Sequence, residues 1–288
     1  MRAHVPTYQL RTPQSVEETL SLLANEPRQW QIFAGGTDLM VLLEAGKLTH
    51  QNYLNIWNLD ELRGIEVTPE LMTLAALTTY TDIQQHDVLR SEFPMLCQAA
   101  SETGGLAIQN RGTLGGNIVN ASPAADSPPA LLAYDAEIEL ICARGSRWIP
   151  YSSFHRGYKQ MDLETDELLA RVRLRRMSGG WQQYYRKVGT RKAQAISKIC
   201  FAGVARMEGS QIAEIRIALG SVAPIPLRCR RTEAVLSGQS LTKNIIDQAV
   251  DELSREIVPI DDIRSTQEYR LQVSLNVLRD FLAKLKHS

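Results

Sequence analysis

Two glycine pairs carry the chemistry that residue type and spacing suggest in this chain. The first stands in Ala34-Gly35-Gly36-Thr37-Asp38-Leu39, after a short apolar stretch at 31–34 and ahead of a helix-forming segment ending near Ala45. Where a strand passes into a helix, glycine permits φ > 0 and lets a ligand reach main-chain N–H groups without meeting a Cβ. Such amides, with the Thr37 hydroxyl, suit a phosphate. An ordinary strand-to-helix turn that binds nothing has the same composition, so this segment alone leaves both readings open.

The second pair stands in Arg111-Gly112-Thr113-Leu114-Gly115-Gly116-Asn117, which runs on through Ala121-Ser122-Pro123-Ala124-Ala125-Asp126. A turn-rich segment of this kind exposes many backbone donors, and Arg111 can neutralise part of an anion. A dinucleotide diphosphate would fit. The alternative is a surface Ω-loop whose Asn and Ser side chains satisfy their own backbone. Neither segment has G-x-G-x-x-G spacing or the Lys-Ser/Thr ending of a P-loop, so both common phosphate motifs are absent.

Other reactive residue types are scattered. The histidines (His4, His50, His86, His155, His287) have no carboxylate or thiol partner at metal-ligand spacing. No metal site is expected. Cys97, Cys142, Cys200 and Cys229 contain no C-x-x-C pair, which argues against zinc or iron–sulfur ligation and for buried thiols in a reducing compartment. There is no G-x-S-x-G elbow.

The elements that must position the glycines alternate at first. Strands are predicted at 7–11, 31–34 and 53–57, with one helix opened by the capping box Ser15/Glu18 and another from Thr37 or Asp38 to Ala45, a βαβ-like start. From about residue 60, short strands and turns follow, with one helix at 94–103. Strands are expected at 136–143 and 168–174, where Leu168, Ala170, Val172 and Leu174 share a face. A boundary is placed at 177–180. Beyond it come three antiparallel strands at 181–187, 197–207 and 211–219, then helices near 232–236, at 242–257, and after a capping box Ser265/Glu268.

The fold class is therefore α+β. A two-subdomain domain, 1–178, splits into a small βαβ part at about 1–58 and a mixed α/β part at 59–178; a C-terminal domain, 179–288, combines three antiparallel strands with a helix bundle. The chain has 288 residues, 44% of them hydrophobic, with 32 Lys+Arg against 32 Asp+Glu. That balance argues against a nucleic-acid partner, which would need a surplus of clustered basic residues. No stretch approaches the roughly 20 apolar residues of a membrane span. The first thirty residues lack a signal-like apolar run, so a cytoplasmic location is expected.

Taken together, A-G-G-T-D-L, T-L-G-G-N and the A-S-P-A-A-D continuation resemble the FAD-binding subunits of molybdenum hydroxylases, the family of the carbon monoxide dehydrogenase medium subunit and the xanthine dehydrogenase flavin subunit. The resemblance extends over essentially the whole chain, including D-E-L-L at 166–169 and the aromatic-basic strand at 184–187. It implies FAD held between two glycine walls: Ala34, Gly35, Gly36, Thr37, Asp38 and Leu39 on one side, and Arg111, Thr113, Gly115, Gly116 and Asn117 on the other. It further implies that Asp126 reaches the adenosine side, although an Asp before Ser-Pro-Pro could equally cap a helix. Leu169 would offer backbone groups and a methyl face to the isoalloxazine, or would be a plain strand residue. Lys187 would lie near the flavin, where a cation stabilises the reduced ring; Arg186 could serve instead. One of Tyr184 and Tyr185 would lie beside the ring.

The same resemblance implies an electron-transfer subunit, FAD its only cofactor. Electrons would come from a small two-cluster [2Fe-2S] subunit and pass to NAD or another acceptor, with molybdopterin on a large partner. The alternatives are a self-contained FAD-dependent oxidase or dehydrogenase of the same wider fold, and a binding module whose glycine loops are purely structural.

Overall fold

Local signals in the first fifty residues build a parallel sheet. The structure is a computed structural model describing residues 7–177, 179–191 and 194–286. Strand β1 (Gln9–Arg11) leads into α1 (Val16–Asn25), whose first turn is capped by the Ser15 hydroxyl accepting from Glu18 N at 3.0 Å. Glu18 reaches back to Gln14 N rather than to Ser15, so only half of the predicted box forms. Then come β2 (Gln31–Phe33), α2 (Leu39–Glu44) and β3 (Asn52–Asn55), with β3 paired in parallel between β1 and β2. The apolar stripe of α1, Leu20 and Leu23, closes on Leu54, Ile56 and Leu59.

The middle of the chain holds far more helix than its sequence suggests. Strands β4 (Ile65–Val67) and β5 (Leu71–Ala75) are followed by six short helices: α3 (Tyr80–Gln85), α4 (Asp87–Glu92), α5 (Pro94–Glu102), α6 (Leu106–Gln109), α7 (Leu114–Val119) and α8 (Ser127–Ala133). Strands β6 (Glu137–Cys142), β7 (Gly145–Pro150) and β10 (Leu168–Arg175) then complete a five-stranded antiparallel sheet, β4-β5-β10-β6-β7, while β8 (His155–Gly157) and β9 (Gln160–Met161) form a separate hairpin.

Strand β10 departs from strict alternation. A bulge between Leu169 and Arg171 in its pairing with β6 switches the face of the chain. Leu168 and Ala170 consequently pack into the first core with Leu77, whereas Leu169, Val172 and Leu174 belong to the second. The expectation of one shared face for Leu168, Ala170, Val172 and Leu174 fails here, because the extra residue resets the period-two pattern.

Antiparallel strands β11 (Trp181–Val188), β12 (Ile199–Glu208) and β13 (Gln211–Gly220) follow, and the two-residue β14 (Leu227–Arg228) makes the sheet four-stranded instead of three. Cys200, Ala202 and Val204 face the middle of the molecule; Ile199, Phe201 and Ala205 face the tail helices α9 (Arg230–Leu236), α10 (Lys243–Glu256) and α11 (Gln267–Leu285). Burial on both faces explains the nearly unbroken apolar run of β12. The cap of α11 is Thr266, not Ser265. Ser265 is drawn into a bridge with Asp262, whose carboxylate accepts its N–H at 3.1 Å. Among the described residues no helix is long and apolar enough to cross a membrane.

Candidate functional site

The first glycine pair forms the end of β2 and the approach to α2. The Phe33 carbonyl is fixed by Ile56 N at 3.0 Å, and Gly36 turns the chain at φ +74°, a conformation glycine adopts without strain. The Gly36 carbonyl then accepts Met40 N, starting α2. Among the described residues, the amides of Gly35, Gly36, Thr37, Asp38 and Leu39 have no protein acceptor. These residues line one side of a cavity of about 510 Å³.

The second pair lies opposite, and its segment is a helix where a turn-rich loop was expected. Thr113 caps α7, its hydroxyl accepting Gly116 N at 3.1 Å. Residues 76–80 run beside 112–115: Leu114 N donates to Thr78 O at 2.9 Å and Gly115 N to Ala76 O at 2.9 Å. Asn117 N donates to Thr113 O at 2.9 Å. The expected row of exposed donors is thus consumed inside the protein. What this wall presents is a bare surface at Gly116, which is exposed, and the Asn117 side chain, whose buried Oδ1 has no partner.

Glycine is required for contact between the walls as well. A Cβ on Gly35 would lie 1.7 Å from the Arg111 carbonyl oxygen, and one on Gly115 would lie 2.9 Å from Ala76 O. A Cβ on Gly116 would meet only Thr113 Oγ1, at 2.8 Å, and would otherwise occupy open cavity.

The sequence-predicted residues divide into two groups. Ala34, Gly35, Gly36, Thr37, Asp38, Leu39, Thr113, Gly115, Gly116, Asn117 and Leu169 all line the one cavity. Arg111, Asp126 and Lys187 do not. The Arg111 guanidinium lies 3.7 Å from the centroid of the Trp57 ring, stacked on the aromatic face outside the cavity lining.

Lys187 is buried, and its ammonium donates to Asp126 Oδ2 and to Glu102 O, both at 2.7 Å. Asp126 also accepts from Ser197 at 2.6 Å and, through Thr103, touches the cavity lining at second hand. Burial raises the Asp126 carboxyl above its ordinary value, opposed chiefly by Lys187. Asp126 holds the N-cap position of α8, yet its side chain caps nothing. Neither tyrosine faces the cavity. Tyr185 donates to Asp126 O at 3.1 Å, and Tyr184 stacks on Phe281 in the C-terminal core. Replacing Lys187 with methionine is expected to cost about 3–5 kcal/mol in urea unfolding, because Asp126 is left buried and uncompensated. Pairing that change with Asp126→Asn should recover most of the loss, and failure to recover would show that the ion pair is not the cause.

Several lining residues escaped sequence reasoning. Tyr80, Ile108 and Leu163 are apolar or aromatic positions with no local signature, Asn120 and Lys159 are polar ones, and Glu167 and Leu168 stand in the D-E-L-L stretch, which points only to Leu169. Glu167 is held by Arg147 in a bidentate pair, Nε to Oε1 at 2.7 Å and Nη2 to Oε2 at 2.8 Å. That guanidinium lowers the Glu167 carboxyl below the usual carboxylate range. A lowered native value contributes stability above the unfolded pKa, near 4.3, and loses it as pH falls through the native one. The melting temperature of Arg147→Met should accordingly lie below that of the parent at pH 7, with the gap closing below about pH 4. A gap independent of pH would refute the pairing.

A cavity with free amides on one wall, a Cβ-free surface on the other, a buried orphan acceptor and apolar residues such as Leu42, Ile56 and Leu77 in its lining fits a dinucleotide carrying a diphosphate. The comparisons with known proteins agree. The family described as the FAD binding domain in molybdopterin dehydrogenase matches residues 6–175, and the CO dehydrogenase flavoprotein C-terminal domain matches 183–285. The xanthine dehydrogenase FAD-binding subunit of Escherichia coli O157:H7 is 31% identical over 263 residues, covering 90% of this chain and 89% of that one. The carbon monoxide dehydrogenase medium chain of Hydrogenophaga pseudoflava is 28% identical and covers 92% of each. A solved structure of carbon monoxide dehydrogenase from the same organism, lacking the Mo-pyranopterin moiety, superposes with a TM-score of 0.92 at 27% identity over 96% of both chains. With most of its length matched by the first of these families, this chain belongs to the FAD-binding subunits of the molybdopterin dehydrogenases, as an oxidoreductase subunit of the xanthine and carbon monoxide dehydrogenase type.

Proposed function

We propose that the chain holds FAD with its diphosphate between the two glycine walls and acts as the electron-transfer subunit of a molybdenum hydroxylase. In this reading a small two-cluster [2Fe-2S] subunit delivers electrons, a large molybdopterin-binding subunit hydroxylates the substrate, and NAD or another acceptor takes the electrons away. The single observation carrying the proposal is the run of amides from Gly35 to Leu39, without a protein acceptor among the described residues, in the lining of the same cavity as Gly116 and Asn117.

The chemistry supplied by bound FAD is exchange between hydride-type and one-electron carriers. The protein's own part is to bind, orient and shield. The five amides at the head of α2 neutralise phosphate charge. Asn117 Oδ1, buried and without a partner among the described residues, would be available to accept a hydrogen bond from the ligand. Leu39, Leu42, Ile56, Leu77 and Leu169 exclude water from the rest of the cleft. Asp126 and Lys187 would act from behind, through Thr103 and the carbonyl of Glu102, fixing the wall in place of direct contact.

The test is the absorption spectrum of the native protein, purified alone and with the two predicted partner subunits. A flavin spectrum with FAD released on denaturation is expected. A colourless complex that takes up no FAD on addition would refute the proposal.

A further inference from the structure

We propose that Lys159 is a further cofactor-binding residue, pairing with the phosphates of FAD and favouring this phosphate-bearing dinucleotide; the assignment rests on the FAD reading above. Among the described residues lining the cavity, Lys159 is the sole lysine or arginine. The cations that sequence pointed to are engaged elsewhere, Arg111 on Trp57 and Lys187 on Asp126. Of the two acidic residues in the lining, Glu167 is neutralised by Arg147 and Asp38 is exposed at the head of α2. Lys159 is therefore the cation of the lining that a diphosphate can use, set against an Asp38 carboxylate that is exposed to solvent.

The position of Lys159 supports this. It sits at the turn between β8 and β9 with φ +57°, a conformation unfavourable for a residue with a Cβ. Its ammonium donates to the Asn120 carbonyl and, at 2.9 Å, to Asn120 Oδ1. Asn120 follows the last residue of α7, four residues and about 6 Å along the axis beyond Gly116. The hairpin thereby carries the ammonium to the end of the same helix whose first turn faces the amides of Gly35 to Leu39. The side chain is exposed, so to pair with an anion its ammonium would exchange the Asn120 contacts for the ligand by swinging along this wall.

The experiment is fluorescence titration of the full chain with FAD at several ionic strengths, comparing the parent with Lys159→Met and Lys159→Arg. The expected result is about a tenfold weaker affinity for Lys159→Met, a shallower dependence on salt than in the parent, and recovery of both in Lys159→Arg. Unchanged affinity in Lys159→Met overturns the assignment. So does a loss with an unaltered salt dependence, or one that arginine does not recover, since either marks a role confined to packing against Asn120. A parent chain that binds no FAD overturns the cofactor reading itself, and this assignment with it.

Discussion

Gly116→Val is expected to leave a folded protein that has lost FAD, with affinity down by about 100-fold or more, equivalent to about 2.7 kcal/mol. The position is exposed to the cavity, and the only atom near a built Cβ is Thr113 Oγ1 at 2.8 Å. A valine can be accommodated if that hydroxyl gives way, at the cost of the α7 cap, typically about 1 kcal/mol. Its two methyl groups then stand in the cleft where this wall lets a ligand approach the main chain. The measurement is FAD titration alongside thermal melting without FAD. Tight binding by a well-folded Gly116→Val protein would mean that the second wall does not face the cofactor. Gly116→Ala should fall between the two, since it adds the Cβ without the branches.

What could be read from sequence was local. Gly36 at φ +74° between β2 and α2 follows a strand-turn-helix grammar written in adjacent residues, and the first wall stands where that grammar puts it. The Thr113 segment was harder. Two glycines in the first turn of α7 lower its helix propensity, so a helix reads as a loop until the Thr113 cap and the contacts with Ala76 and Thr78 are seen. Those contacts consume the donors that the same glycines appear to advertise.

Long-range pairing was not legible. Lys187 and Asp126 are separated by 61 positions, and nothing local says that each satisfies the other instead of a ligand. Lys159, by contrast, belongs to no motif; only the fold of the β8–β9 hairpin against Asn120 brings it to the cleft. The bulge after Leu169 is a third case. It sends Ala170 and Val172, two residues apart, into different cores, so alternation alone could not assign them their neighbours.

Gly35→Ala should separate the contribution of wall contact from that of cofactor approach, because its added methyl meets protein and not cavity. The built Cβ lies 1.7 Å from the Arg111 carbonyl oxygen and 2.7 Å from the carbonyl carbon. Both are backbone atoms, so no side-chain rotation relieves the overlap. Moving Arg111 pulls on Gly112, whose N–H is held by Ile108 O and whose carbonyl accepts Tyr80 N, and so disturbs the start of α3. Overpacking of this kind costs about 1–3 kcal/mol and sometimes more; with backbone on the far side, a loss of about 3 kcal/mol or greater is expected in urea unfolding. FAD affinity should fall as well, since separating the walls turns the acceptor-free amides away from the Gly116 surface. The two variants thus predict distinct patterns in the apo protein, a loss of only about 1 kcal/mol in Gly116→Val and of about 3 kcal/mol or more in Gly35→Ala. An apo Gly35→Ala protein as stable as the parent would mean that the two glycine segments do not touch, and the cleft as described would have to be abandoned.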